Sequence, residues 1–112
     1  MSRRTERIED QLRQELAELL LHRVHDPRIR GCTIAALHVS PDLQHARVSV
    51  SVLGSDEERG AAVVALEHAG GFLRAELAAR MRHLRRIPAL SFELDRGAEY
   101  SQRIADLLED LQ

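Results

Sequence analysis

The spacing of hydrophobic residues changes along this chain, and the change constrains its fold more strongly than any single motif does. Near the start, apolar residues recur at helical spacing, which predicts an amphipathic helix over roughly residues 5–23. These residues are Ile8, Leu12, Leu16, Leu19 and Leu20. In residues 46–53, by contrast, Val48, Val50 and Val52 alternate with more polar side chains, which predicts a strand. A chain that contains both periods is expected to form an α+β domain.

Turn and capping residues divide the first half of the chain into elements. Pro27 ends the first helix, because proline disfavours helical backbone in the residue before it. Residues 33–39 are then predicted to be a strand, and residues 40–42 form a turn before the second strand. Ser55, with Glu58 three residues later, has the sequence of a capping box, which predicts that a second helix begins there.

Glycine and proline delimit the second half of the chain. Gly70 and Gly71 are predicted to interrupt the second helix after residue 68, and Gly71 is expected to need either positive φ or a close backbone approach. A third helix should run from about residue 72 to residue 84 or 85, and Pro88 should close the connection to a strand over residues 90–95. A last helix is expected to cover the sheet of its own domain with apolar residues. They are Ile104, Leu107, Leu108 and Leu111.

The composition is that of one soluble globular domain. At 112 residues and 12.7 kDa, the chain can bury one core but not two, so residues 1–112 are interpreted as a single domain. No apolar run approaches the roughly 20 residues of a membrane span, and the polar start lacks the apolar centre of a secretory signal. We therefore expect a cytoplasmic protein with no membrane partner. The single cysteine, Cys32, cannot form an internal disulfide and is expected to fill a small buried space.

No combination of residues predicts a catalytic or metal site. The six histidines are scattered, and no pair of them has a further ligand at zinc spacing. His25 and Asp26 are adjacent where a helix breaks, and an aspartate before proline more plausibly fixes the turn. The sequence has no nucleophile motif and no phosphate-cradling glycine loop. We therefore expect no enzymatic activity, no cofactor, no metal and no small-molecule substrate.

Arginine is concentrated in the segment from residue 70 to residue 88. Between Arg74 and Arg86 this segment carries five arginines against one acid, Glu76, although the whole chain has a formal net charge of −2. Positive charge gathered on one part of an acidic chain is typical of a surface that binds a polyanion. Because every basic residue of the chain is arginine, each contact can be a bidentate fork on a phosphate group.

Helical spacing would give this segment two faces. At about 100° per residue, one face carries apolar residues and the adjacent face carries arginines. The apolar face consists of Leu73, Leu77, Met81 and Leu84. The adjacent face consists of Arg74, Ala78, Arg82 and Arg85. A solvated charged surface is the alternative interpretation, but few carboxylates lie at i±4 to neutralise the row.

Aromatic residues are scarce, which limits how RNA could be bound. Phe72, Phe92 and Tyr100 are the only ones in the sequence. Proteins that grip single strands by base stacking need several aromatic platforms. We therefore expect any binding of RNA to proceed through the RNA backbone and the RNA shape.

The predicted order α-β-β-α-α-β-α, with glycines between the two central helices, begins with the order of a type II KH domain. Motifs distributed over roughly residues 3–111 carry a more specific resemblance through their order and spacing. They are Arg7 with its helix, Asp26-Pro27-Arg28, Val39-Ser40, Asp42-Leu43, Ala46-Arg47-Val48, Ser51-Val52, Ala69-Gly70-Gly71-Phe72-Leu73-Arg74, Leu84-Arg85-Arg86-Ile87-Pro88, Leu90, Phe92 and Asp95. Together they resemble the bacterial ribosome-binding factor A family.

The resemblance implies a non-enzymatic assembly factor that is linked to growth in the cold. Such a factor binds the immature small (30S) ribosomal subunit and its 16S ribosomal RNA during late maturation and rRNA processing. The implied fold is a KH-like domain whose three-stranded sheet is covered by helices. A helix-kink-helix at Ala69, Gly70 and Gly71 takes the place of the GxxG loop of ordinary KH domains. The sequence ends at Gln112, whereas some family members have a longer charged tail, so contacts made by such a tail are expected to be absent or replaced.

The arginines are the predicted contacts with RNA phosphates. Arg74, Arg82 and Arg85 form the expected central row, with Arg80 and Arg86 on its flanks. The further predicted contributors are Arg3, Arg4, Arg7, Arg28 and Arg30. The protein is expected to act as a monomer on the small subunit. The alternative is a small protein-interaction or homodimerisation module whose basic face meets an acidic partner.

Overall fold

The computed structural model describes residues 3–95 and 107–111 of the chain. Its helices and strands are α1 (Arg3–His22), β1 (Thr33–Val39), β2 (His45–Ser51), α2 (Asp56–His68), α3 (Gly70–Arg80) and β3 (Ala89–Leu94). Residues 107–110 are again helical. The α-β-β-α-α-β-α order and the type II KH-like α+β fold class predicted from the sequence are therefore confirmed.

The three strands form one sheet in the order β1-β2-β3. β1 runs antiparallel to β2, whereas β3 runs parallel to β2, so the central strand is bonded on both edges. Val48 lies at the middle of the sheet, paired with Leu37 on one side and Phe92 on the other, and all three side chains are buried. The register shifts between Ile34 and Ala36, as in a β-bulge.

α1 covers β1 with the apolar stripe that the sequence predicted, and its leucines are buried in the core. The same helix also satisfies backbone groups of β1. The Val39 amide donates a hydrogen bond to Glu9 Oε1 at 2.9 Å, and the Arg13 guanidinium donates to the Ile34 carbonyl oxygen at 3.3 Å. Because a free strand edge invites pairing with other chains, these side chains protect the sheet.

The predicted capping box at the start of α2 is confirmed. The Glu58 amide donates to Ser55 Oγ at 3.1 Å, and the Ser55 amide donates to Glu58 Oε1 at 3.2 Å. The hydrogen bond from the Ser55 amide is the main cause that lowers the pKa of the Glu58 carboxyl below its ordinary value. Two backbone donors at the start of the helix are thus satisfied by local sequence alone.

The interruption between α2 and α3 lies at Ala69, and Gly70 and Gly71 already belong to α3. Ala69 stays near helical backbone values, with φ −79° and ψ −4°, so the two helices join through a slight irregularity. The expectation that Gly71 needs positive φ or a close approach is wrong, because its φ is not positive and a Cβ there would meet no atom within 4 Å. The redirection of the chain therefore does not depend on the special freedom of glycine.

The predicted extent of the third helix is also wrong. α3 ends at Arg80, and Met81 leaves helical backbone with φ −119° and ψ 56°. Residues 82–86 form turns and bends, which we call the arginine turn. The chain must turn here because Ala89 pairs with β2, its amide donating to the Gln44 carbonyl oxygen at 2.9 Å. Arg82 and Arg85 therefore do not share a helical face with Arg74.

The leucines near the end of the chain do not cover the sheet as expected. Leu107, Leu108 and Leu111 are 63%, 57% and 83% exposed. Ile104, which was predicted to join them, lies outside the described residues. A helical pattern fixes which side of a helix is apolar, but not which surface that side meets.

Candidate nucleic-acid interface

The arginine turn presents its cations to solvent because its apolar residues are anchored in the core. Met81 and Ile87 are buried, and Leu84 is half-buried against the core. The intervening Arg82, Arg85 and Arg86 are exposed. None of these three arginines has a hydrogen-bond or ion-pair partner within the described part of the chain. Their guanidinium groups are therefore available to an external ligand.

The start of α1 lies beside the arginine turn. Arg4, Arg7 and His83 line a shallow groove of about 320 Å³ together with three less polar neighbours. Those neighbours are Ile8, Gln11 and Leu84. Arg4 and Arg7 are exposed and have no ion-pair partner among residues 3–95 and 107–111. The fold thus joins two basic segments that are separated by the whole domain in sequence.

We define the arginine surface as the five exposed arginines of these two segments. They are Arg4, Arg7, Arg82, Arg85 and Arg86. Arg3 is exposed at the start of α1, next to them in the chain. The sequence did not predict that His83 and Gln11 lie here, because the groove exists only where α1 and the arginine turn approach each other.

Arg80 is committed to an internal role. Its guanidinium lies 3.0 Å from Glu15 Oε2 and 3.4 Å from Glu18 Oε1, both on α1, and its side chain is only 25% exposed. The hydrogen bond from Arg80 to Glu15 is the main cause that raises the pKa of Arg80 above its ordinary value. Because two carboxylates already neutralise this cation, it links α3 to α1 rather than adding to the arginine surface.

Arg74 is also engaged within the protein. Its guanidinium donates a hydrogen bond to the carbonyl oxygen of Ile87 at 3.2 Å, in a partly buried setting. This bond crosses from the middle of α3 to the residue that follows the arginine turn. Arg74 therefore holds the base of the turn, and the predicted central row of Arg74, Arg82 and Arg85 is not a row of equivalent side chains.

Arg28 and Arg30 lie beyond the C-terminal end of α1. Arg28 pairs with Asp26 at 2.7 Å, and its amide also donates to Asp26 Oδ1 at 2.9 Å. The hydrogen bond from the Arg28 side chain is the main cause that lowers the pKa of Asp26, and the same bond raises the pKa of Arg28. Arg30 is exposed and has no ion-pair partner in the described part of the chain.

Other kinds of site find no support in the described ranges. In residues 3–95 and 107–111, no three His, Cys, Asp or Glu side chains are grouped so that they could hold a metal ion. Among the same residues, no helix combines the length and the apolar character needed to cross a bilayer. The arginine surface is thus the feature of the described structure with the clearest ligand chemistry.

Comparison with known proteins agrees with the fold and with the motifs. The family model described as "Ribosome-binding factor A" matches residues 4–108. The chain belongs to the ribosome-binding factor A family. A family protein of Syntrophobacter fumaroxidans is 43% identical over 111 residues, which cover 97% of this chain and 94% of that protein. A second, from Thermomicrobium roseum, is 41% identical over 99% of this chain and 85% of its own length.

Solved structures of ribosome-binding factor A proteins share the architecture. The crystal structure of the Thermus thermophilus protein matches with a TM-score of 0.74 and 34% identity, over 83% of this chain and 97% of that one. A Thermus thermophilus homology model, fitted into a cryo-EM map of a 30S complex with that protein, matches with a TM-score of 0.67 and 36% identity. It covers 80% of this chain and 92% of its own.

Proposed function

We propose that this protein is a non-enzymatic assembly factor that binds the immature small ribosomal subunit through its 16S ribosomal RNA. In this proposal it acts as a monomer in the cytoplasm, during late maturation and rRNA processing, and supports growth in the cold. The observation that carries the proposal is the arginine surface, where exposed guanidinium groups from α1 and from the arginine turn lie without internal partners in the described part of the chain. Membership of the ribosome-binding factor A family supports the same function.

The chemistry of the arginine surface suits a phosphate backbone. A guanidinium group offers a planar fork of donors that matches two phosphate oxygens, and it keeps its charge at every physiological pH. Each phosphate that such a group neutralises releases condensed counterions, which gives a favourable and salt-dependent contribution to binding. The groove beside Arg4 and Arg7 provides a concave place where a backbone could lie.

The residues best suited to contact RNA differ from the row predicted along one helix. Arg4, Arg7, Arg82, Arg85 and Arg86 are the proposed direct contacts, because their side chains are exposed and unpaired within the described ranges. Arg3 and Arg30 are proposed as supplementary contacts, since both are exposed. Internal partners give the predicted contacts Arg74, Arg80 and Arg28 mainly positioning roles.

Recognition of bases should contribute little. Three aromatic residues occur in the sequence, and Phe92 is buried in the core while Phe72 is only partly exposed. Stacking platforms for successive bases are therefore scarce. We infer that specificity comes from the folded shape of the immature subunit, which places several phosphates opposite the arginine surface at once.

A salt titration of binding tests this mechanism. Affinity for RNA should fall linearly with salt on a logarithmic plot, with a slope that reflects on the order of three to six phosphates. Arg82→Ala should reduce the slope by somewhat under one. The matched control is Arg47→Ala, which removes the same charge from β2, where Arg47 is exposed and pairs with Glu93 at 3.3 Å. An equal loss for both variants would mean that total charge acts instead of the arginine surface.

The biological partner is tested by sedimentation of cell extract in a gradient. The wild-type protein should comigrate with small subunits, and the Arg82→Ala/Arg85→Ala variant should move to the top of the gradient. Binding to purified immature subunits should exceed binding to a short unstructured RNA at the same salt concentration. Tight, salt-insensitive and sequence-selective binding to the short RNA would instead show that bases are read directly.

A further inference from the structure

A second groove lies farther along α1 from the arginine surface, between the C-terminal half of α1 and the segment that leads into β1. Its volume is about 530 Å³, and its floor is mainly apolar. Leu20, Val24, Ile29 and Ile34 line it, and Leu21 on its margin is 75% exposed. An apolar groove of this kind beside an exposed leucine marks a surface that another apolar segment can cover.

The polar residues around this groove make it suitable for an acidic segment. Arg13 and Arg30 line it, and neither has an ion-pair partner in the described ranges. The acid in the lining, Asp26, is already neutralised by Arg28 at 2.7 Å. A segment that combines an apolar side with carboxylates would therefore match both the floor and the margin of the groove.

Residues 107–111 of the same chain have that combination. Leu107, Leu108 and Leu111 lie on one side of a helical turn, and all three are exposed. Glu109 and Asp110 are the two residues between them in sequence. Within its described residues, the molecule thus has an uncovered apolar groove with unpaired arginines and an uncovered apolar segment with acids.

The path of the chain brings the two together. The Asp95 amide donates to the Val50 carbonyl oxygen at 2.7 Å, and Val50 pairs with Ile34 at the other edge of β2. Because neighbouring strands lie about 4.8 Å apart, the chain leaves β3 roughly 10 Å from the strand that borders the groove. Residues 96–106 can span up to about 3.3 Å each, which exceeds this distance several-fold.

We propose that residues 107–111 dock into this groove of their own chain. The three leucines pack on the apolar floor, and Glu109 and Asp110 lie toward Arg13 and Arg30. A short connection gives the segment an effective concentration in the millimolar range, which is far above that of a second copy at micromolar protein. The inference concerns a surface separate from the arginine surface and does not depend on the proposed binding of RNA.

The single native cysteine provides a direct test, because Cys32 lines the groove. Leu108→Cys places a second thiol on the apolar side of the segment, and Glu109→Cys, on the opposite side, is the matched control. A disulfide forms only when the two Cβ atoms approach within about 3.5–4.5 Å. After mild oxidation of the full-length protein, the Leu108→Cys variant should form an intramolecular disulfide at least several-fold faster than Glu109→Cys. Both positions are exposed, so neither change threatens folding.

Alkylation of Cys32 in the chain without an added cysteine gives a second readout. Docking shields the thiol, so Leu108→Glu should increase the rate of modification by iodoacetamide about three-fold or more, with equal rates for both proteins in urea. Intermolecular disulfides that increase with protein concentration would overturn the proposal in favour of a second copy. Equal cross-linking from positions 108 and 109, or an unchanged alkylation rate, would show that the segment does not occupy the groove.

Discussion

The hydrogen bond from Arg74 to the Ile87 carbonyl allows structural and binding roles of arginine to be separated by one substitution. Arg74→Ala removes a charged donor at 3.2 Å and leaves a partly buried carbonyl oxygen without it. A net hydrogen bond contributes about 1 kcal/mol, and a bond to a charged group contributes more, so we expect a loss of about 1–2 kcal/mol. For a domain of this size, that loss corresponds to a decrease of roughly 4–8 °C in melting temperature.

The assay pairs thermal unfolding with the salt dependence of RNA binding, and Arg82→Ala is the matched control. Arg82 is exposed and has no partner in the described ranges, so its removal should change stability by less than about 0.5 kcal/mol. The two variants should then behave oppositely. Arg74→Ala should lower the melting temperature and leave the salt slope unchanged, whereas Arg82→Ala should leave the melting temperature unchanged and lower the slope.

The reverse pattern would refute this assignment. If Arg74→Ala melts like the wild type and lowers the salt slope by somewhat under one, then Arg74 contacts phosphate and its bond to Ile87 contributes nothing measurable. Affinity must be expressed per folded molecule, because a destabilised variant loses apparent affinity through unfolding alone.

Three further substitutions test the fold. Ser55→Ala should cost about 1 kcal/mol in urea unfolding through loss of the cap, and an unchanged midpoint would contradict the capping box. Gly71→Ala should stabilise by up to about 1 kcal/mol in a helix with open space around it, whereas Gly31→Ala should destabilise by about 1–2 kcal/mol, because φ is +82° there; equal thermal shifts would refute this contrast. Leu77→Ala should cost about 2–5 kcal/mol in the same unfolding assay, and a loss below about 1 kcal/mol would show that the site is not in the core.

Local chemistry predicted most of the element order, because the signals for it act over a few residues. The apolar period of α1, the alternation in β2 and the reciprocal bonds of Ser55 and Glu58 all operate within one element or one turn. Such signals do not depend on what the rest of the chain does. The boundaries predicted for α2 and β1 from these signals agree with those of the structure.

The end of α3 could not be predicted in this way. The helical pattern of apolar residues continues in sequence to Leu84, but α3 stops at Arg80. The stop depends on the burial of Ile87 and on the bond between Ala89 and Gln44, which belong to the sheet. A helix ends where continued helical backbone would cost more tertiary contacts than it gains, and that balance is not local.

The sequence by itself determined that arginines gather near the end of the third helix, and that they offer forked cations to a polyanion. Only the tertiary structure decided which of them are free. Arg80 meets Glu15, which lies 65 positions away, and Arg74 meets a backbone carbonyl beyond the turn, while Arg82 and Arg85 meet neither. The availability of a charge depends on partners brought near by packing, and the spacing of residues within one segment carries no information about those partners.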